Sequence, residues 1–162
     1  MKYLLTLLLS LSLATCYAQE TTFILVRHAE KANDGTKDPA LTAEGEARAE
    51  NLQKMFEEAD VAAVYSTNYK RTQLTVAPLA QAKGLEVKPY GWKNPKELLS
   101  KILEANAGGI VIISGHSNTT PVLANLLTGK ATFTTFEDSD YGNLLIITTT
   151  KIGEGNLLQL RY

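Results

Sequence analysis

Two stretches of this chain are apolar and β-branched over the length of a strand: Thr22-Phe23-Ile24-Leu25-Val26 and Ile110-Val111-Ile112-Ile113. Continuous runs, as opposed to alternating ones, mark strands covered on both faces, as in a parallel sheet between layers of helix. Each run then ends abruptly, the first on Arg27-His28-Ala29-Glu30 and the second on Ser114-Gly115-His116-Ser117. Packing explains neither histidine, and the carboxyl end of a strand in an open α/β sheet is where ligands are held. The chain has two histidines in all. Both therefore open onto one rim, and they face each other if their strands are neighbours.

The intervening segments alternate between helix and strand signals. Residues 31–40 are polar and rich in turn formers, a loop directly beyond the first histidine. Thr42 reads as an N-cap for a helix to about residue 59, with Ala49, Leu52, Met55, Phe56 and Ala59 at helical spacing. Gly45, a poor helix former in its first turn, marks a close approach to the backbone. Val61 to Tyr65 forms a short strand, and Ser66-Thr67-Asn68 offers three capping residues before a helix over 69–82. Pro78 predicts a kink or break in that helix, and Gly84 ends it. Leu85 to Val87 reads as a brief edge strand and Tyr90-Gly91-Trp92 as loop.

Asn94-Pro95 starts a further helix, with Leu98, Leu99, Ile102 and Leu103 on its buried face and Gly108-Gly109 at its end. Val122 to Leu127 forms the last helix, ending at Gly129. Leu144 to Thr149 and Leu157 to Leu160 form a hairpin around Gly153-Glu154-Gly155. This order predicts an α/β fold with a mostly parallel central sheet and an antiparallel edge hairpin.

Residues 1–18 stand apart. Lys2, the leucine-rich stretch Leu4 to Leu13, and Cys16-Tyr17-Ala18 have the layout of a secretory signal cleaved after Ala18. Leu13-Ala14-Thr15-Cys16 also resembles a bacterial lipoprotein box, so lipid anchoring at Cys16 is a second expectation. On this reading the mature domain is 19–162, exported, with no integral membrane segment and no thiol, since Cys16 is the only cysteine. A length of 162 residues with no linker or repeat predicts one domain. The net charge of −1 excludes nucleic acid or an anionic surface held by bulk electrostatics. Nothing in the sequence specifies the oligomeric state.

Any anion must therefore be gripped locally, and the arginines point to where. Arg27 leaves the first strand, and Arg71 lies in the opening turn of the helix after the second. Two guanidiniums beside a helix N-terminus suit a tetrahedral oxyanion such as phosphate. Arg48, four residues after Glu44, reads instead as half of a solvated ion pair. Two histidines and two arginines, with no serine-histidine-acid set and no thiol, make histidine the candidate nucleophile toward phosphorus. A zinc site from His28, Glu30 and His116 lacks the local spacing of known ligand motifs, and the guanidiniums would repel a cation. No cofactor is expected, and the expected partner is a small phosphorylated substrate.

These residues resemble the histidine phosphatase superfamily, also called the phosphoglycerate mutase-like family. The resemblance comprises Arg27-His28-Ala29-Glu30, Leu41-Thr42 with Gly45, Ser66 with Arg71-Thr72 and Thr75, and Gly115-His116-Ser117, in order over about residues 22–120. It implies a three-layer α/β/α core, a phosphorylated nucleophile at His28, and a phosphate pocket completed by Arg27, Arg71 and His116. Ser66 and Thr72 have structural explanations as cap and helix-face hydroxyls. Many members also carry an acidic proton donor after the second helix or after the second histidine. Here Ser117 follows His116, and Glu86, Glu97, Glu30 and Asp140 are the acids left to consider, each with an easier reading as a solvated charge or helix start. A metal-independent phosphatase, a non-catalytic phospholigand-binding module and a phosphohistidine-protein phosphatase all fit this pattern.

Overall fold

The strand Thr21–Arg27 (β1) lies inside a six-stranded sheet, and its side chains explain the continuous apolar run. Phe23 and Leu25 point into one core layer, while Ile24 and Val26 point into the other. All four are essentially inaccessible to water. Alternate residues of a strand face opposite sides, so a strand with helices on both sides must be apolar at every position.

The computed structural model describes residues 19–162; the expected leader, residues 1–18 with Cys16, lies outside the described residues. After β1 come α1 (Ala43–Met55), β2 (Val61–Thr67), α2 (Lys70–Ala82), β3 (Val87–Tyr90), α3 (Pro95–Ala105), β4 (Ile110–Gly115), α4 (Thr119–Thr128), β5 (Asn143–Thr149) and β6 (Asn156–Arg161). The sheet order is β3-β2-β4-β1-β5-β6. β3, β2, β4 and β1 run parallel, and β5 and β6 close the other edge antiparallel. This is the expected α/β fold with three layers.

Leu52 of α1 and Val76, Leu79 and Ala80 of α2 pack on one face of the sheet, and Leu99 and Ile102 of α3 with Leu123 and Leu127 of α4 on the other. The helices that follow the neighbouring strands β1 and β4 therefore leave toward opposite faces. Such a divergence opens a crevice at the carboxyl ends of the two strands. Among the described residues no helix is long and apolar enough to cross a membrane.

Several local expectations change. Thr42 caps α1 as predicted, its hydroxyl accepting from the Gly45 amide at 3.1 Å. The helix stops at Met55, however, and Met55 is exposed. Ser66 and Thr67 are strand, not cap; pairing with β4 and β3 carries β2 through Thr67, and Tyr69 takes the N-cap position of α2 without a side-chain bond. Pro78 does not break α2. The carbonyl it leaves without a donor belongs to Leu74, an exposed position where water can satisfy it. The edge strand falls at Val87–Tyr90, so Tyr90 is a buried strand residue and not part of a loop.

Candidate active site

β1 and β4 pair in parallel register, with Arg27 opposite Gly115, and the ladder runs one step further: the His28 amide donates to the Gly115 carbonyl at 2.9 Å. His28 and His116 therefore emerge side by side, their ring centroids 5.5 Å apart. Arg27, His28, Arg71 and His116 all line one cleft of about 710 Å³. The condition attached to the sequence reading, that the two strands be neighbours, is met.

His28 is nearly inaccessible. Its Nδ1 lies 2.8 Å from the Ala29 carbonyl, which can only accept, so Nδ1 carries the proton and Nε2 keeps a free lone pair. Burial lowers its pKa to about 3, against the opposing Ala29 bond and with help from the charges of Arg27, His116 and Arg71. The ring is therefore neutral at neutral pH, as a nucleophile must be. The pKa of His116 falls to about 4 by burial first, then through Arg71 and Arg27. Its Nε2 is 2.9 Å from the Thr67 hydroxyl, which also meets the Thr72 hydroxyl at 2.9 Å.

Arg27 is buried, and its fork is held by backbone. Nη1 donates to the carbonyls of Glu137 at 2.7 Å and Asp140 at 3.0 Å, while the guanidinium lies 4.2 Å from the centroid of Tyr141. Arg71, second residue of α2, stacks 4.5 Å over Tyr69 and approaches Asp38 at 3.6 Å. The Nε atoms of Arg27 and Arg71 are buried without a protein partner. Unspent donors on a buried and a partly buried guanidinium next to a helix N-terminus form a site that an oxyanion would satisfy.

Gly45 has the close approach its position implied: a Cβ there would fall 2.3 Å from the Glu30 carbonyl oxygen. Arg48, in contrast, does not pair with Glu44. Its Nη2 meets Glu30 at 2.6 Å, its Nε donates to both Glu30 oxygens, and its Nη1 donates to the Tyr162 carbonyl. A partly buried, forked contact prevails over a solvated pair one turn away. Burial would raise the Glu30 pKa, but the hydrogen bonds from Arg48 outweigh it and hold the carboxyl below its usual range. Glu30 is thus a clamp, neither a solvated loop charge nor a proton donor. Asp140 is likewise committed, to Arg161 at 2.8 Å and Asn143 at 2.6 Å. Glu97 binds Lys101 and Asn94, and Glu86 is exposed.

Sequence reasoning missed the segment between α4 and β5. Its carbonyls hold Arg27, its Tyr141 ring lies 5.9 Å from His28, and the exposed Asp138 comes within 3.8 Å of Arg27. The available signal was length: residues 130–142 form an irregular segment longer than most connections in compact domains. Thr67 and Tyr69, which contact His116, were also passed over; Tyr69 meets that ring edge-on at 5.1 Å.

An α/β/α domain that opens two neutral imidazoles and two arginines onto one crevice has the groups that phosphoryl transfer through histidine requires. The sequence profile of the histidine phosphatase superfamily (branch 1) matches residues 23–90. Solved structures agree on the fold. The protein histidine phosphatase SixA complexed with tungstate superposes with a TM-score of 0.69 at 16% identity, covering 86% of this chain and 96% of that one. A mycobacterial glucosyl-3-phosphoglycerate phosphatase gives 0.68 at 12% identity, covering 89% and 99%. The phosphoserine phosphatase of Entamoeba histolytica, in complex with 3-phosphoglyceric acid, gives 0.68 at 15% identity, covering 88% and 97%. No curated protein matches the sequence. The profile match over residues 23–90 and the likeness in fold are both to the histidine phosphatase superfamily.

Proposed function

We propose that the protein is a metal-independent phosphatase that works through a phosphohistidine on His28. The observation that carries this is the His28 ring itself: buried, neutral, with Nδ1 bonded to Ala29 and Nε2 free beside two guanidiniums. In the first step Nε2 attacks phosphorus in line with the departing group. Arg27, Arg71 and the edge of His116 disperse charge over the equatorial oxygens. Water then cleaves the phosphorus–nitrogen bond and releases phosphate. Incubation with a labelled phosphate donor should leave acid-labile, base-stable label on the denatured protein. His28→Ala should carry none and lose release of phosphate from an aryl phosphate, while a chelator leaves the native protein active. A folded protein that binds phosphate but never takes up label would be a phospholigand-binding module instead.

A second substrate reading, a phosphohistidine protein, is favoured by one observation. Of the acids weighed as proton donors, Glu30, Asp140 and Glu97 are tied up elsewhere and Glu86 is an exposed residue outside the cleft, and a phosphoramidate needs less help from an acid than an alkyl ester does. The resemblance in fold to SixA points the same way.

We also propose that residues 1–18 direct export, on the strength of their layout of charge, apolar run and small residues. Fractionation of cells expressing the whole chain, its Cys16→Ser variant and a form lacking residues 2–18 tests this. Retention of all three in the cytoplasm would refute export, and a membrane location that Cys16→Ser abolishes would establish the lipid anchor.

A further inference from the structure

The cleft, at about 710 Å³, is far larger than the anion at its base requires. Beyond the guanidiniums it is lined by Tyr69 and Trp92, which are 44% and 36% exposed in a chain with few aromatic residues. Tyr69 is held between the Arg71 guanidinium and the edge of His116. Trp92 stands two residues beyond Tyr90, the last residue of β3, whose hydroxyl donates to the Ser114 carbonyl at 3.1 Å. Exposed aromatic side chains beside an anion site stack planar rings and contribute little to a flexible aliphatic group.

The acid–base inventory selects for the same feature. Among the described residues, Asp138 is the carboxylate that lines the cleft, and it is fully exposed and paired with Arg27. With no buried acid in the cleft and its one carboxylate turned toward Arg27, the site discriminates by the leaving group's own stability as an anion.

We propose that the substrates are aryl phosphate monoesters, the ring of the leaving group lying against Tyr69 and Trp92. This rests on the phosphatase reading above. The His28 Nε2 lone pair forms a bond to phosphorus as the phosphorus–oxygen bond to the aryl group breaks. The electron pair stays on the phenolate, which takes a proton from water. A second water then attacks phosphorus, the pair of the phosphorus–nitrogen bond returns to Nε2, and the proton that water loses neutralises the hydroxide formed earlier. The net reaction consumes one water and yields a phenol and inorganic phosphate.

The test is kcat/KM of the purified protein on phenyl phosphate, free tyrosine phosphate, a phosphotyrosyl peptide, glycerol 2-phosphate and acetyl phosphate. Phenyl and tyrosine phosphate should exceed glycerol 2-phosphate by about a hundredfold or more, the scale of a missing general acid. Trp92→Ala should lower the preference for phenyl over acetyl phosphate by about tenfold, and Trp92→Phe, which keeps a ring, should restore most of it. Equal values for tyrosine phosphate and the peptide assign recognition to the ring alone; a higher value for the peptide assigns it to a protein-borne ring. Turnover of acetyl phosphate with label on His28, but no advantage of phenyl over glycerol 2-phosphate, overturns the aryl assignment and leaves the phosphatase reading standing. A preference untouched by Trp92→Ala overturns the aromatic subsite. Absence of both turnover and label with every donor overturns both readings.

Discussion

The state of His28 has a consequence that can be measured without any substrate. Its pKa is about 3 in the folded protein against an ordinary 6.5, with burial as the largest cause. Between those values the unfolded chain binds a proton that the native protein refuses. Stability is therefore fully present above pH 6.5 and falls as pH drops through that window toward 3. From the two pKa values, the difference between pH 7 and pH 5 comes to about 2 kcal/mol. The figure barely depends on the folded value, because any pKa below about 4 leaves the native ring unprotonated at pH 5. The perturbation is His28→Gln, which removes the titration but keeps a polar side chain. Urea denaturation of both proteins at pH 7 and pH 5, in buffer free of phosphate, gives the double difference. Contributions from His116 and the carboxyl groups enter both proteins alike and cancel to first order. The native protein should lose about 2 kcal/mol more than the variant. Equal losses would mean that His28 is neither buried nor flanked by the guanidiniums, and the argument for a neutral nucleophile would go with it.

Two further substitutions probe the supports of the site. Gly45→Ala would set a methyl group 2.3 Å from the Glu30 carbonyl oxygen, so α1 or the segment after His28 must shift; we expect a loss of about 1–3 kcal/mol in denaturation and a lower kcat. Thr67→Val removes the hydroxyl between Thr72 and His116. A loss of about tenfold in kcat/KM is expected, the scale of one hydrogen bond to a group in the site, and unchanged kinetics would show that His116 needs no support from β2.

What the sequence made legible were features with a local cause. Continuous apolar runs announced β1 and β4 because a doubly covered strand has no polar face, and Thr42 and Asn94 announced helix starts because a cap bonds three residues onward. Errors arose where distant groups compete. Arg48 had Glu44 within one turn, yet it binds Glu30, eighteen positions away in sequence, where the contact is forked and shielded. Ser66 and Thr67 are good caps, but the β2 ladder claims their backbone. The grip on Arg27 was least visible of all. It consists of the carbonyls of Glu137 and Asp140, and a backbone carbonyl looks the same whatever side chain stands above it.

The site is an extension of the sheet, and this ties its precision to the stability of the core. His28 is bonded through its amide to Gly115, the last residue of β4, so its imidazole is placed by the same ladder that aligns Phe23 with Val111 and Leu25 with Ile113. Its next neighbour, Ala29, is held by the Thr75 hydroxyl at 2.8 Å, which in turn donates to the Arg71 carbonyl at 2.7 Å. One chain of hydrogen bonds thus joins β4, the segment of His28 and Ala29, and the helix that presents Arg71. Gly115 completes the constraint: a Cβ there would meet the hydroxyls of Thr119 and Thr120 at 2.8 Å and that of Tyr90 at 3.1 Å. A residue with any side chain would push α4 or β3 away and carry His116 with it. The requirement for glycine at that position therefore comes from packing around the imidazole pair, although the residue itself offers no group for chemistry.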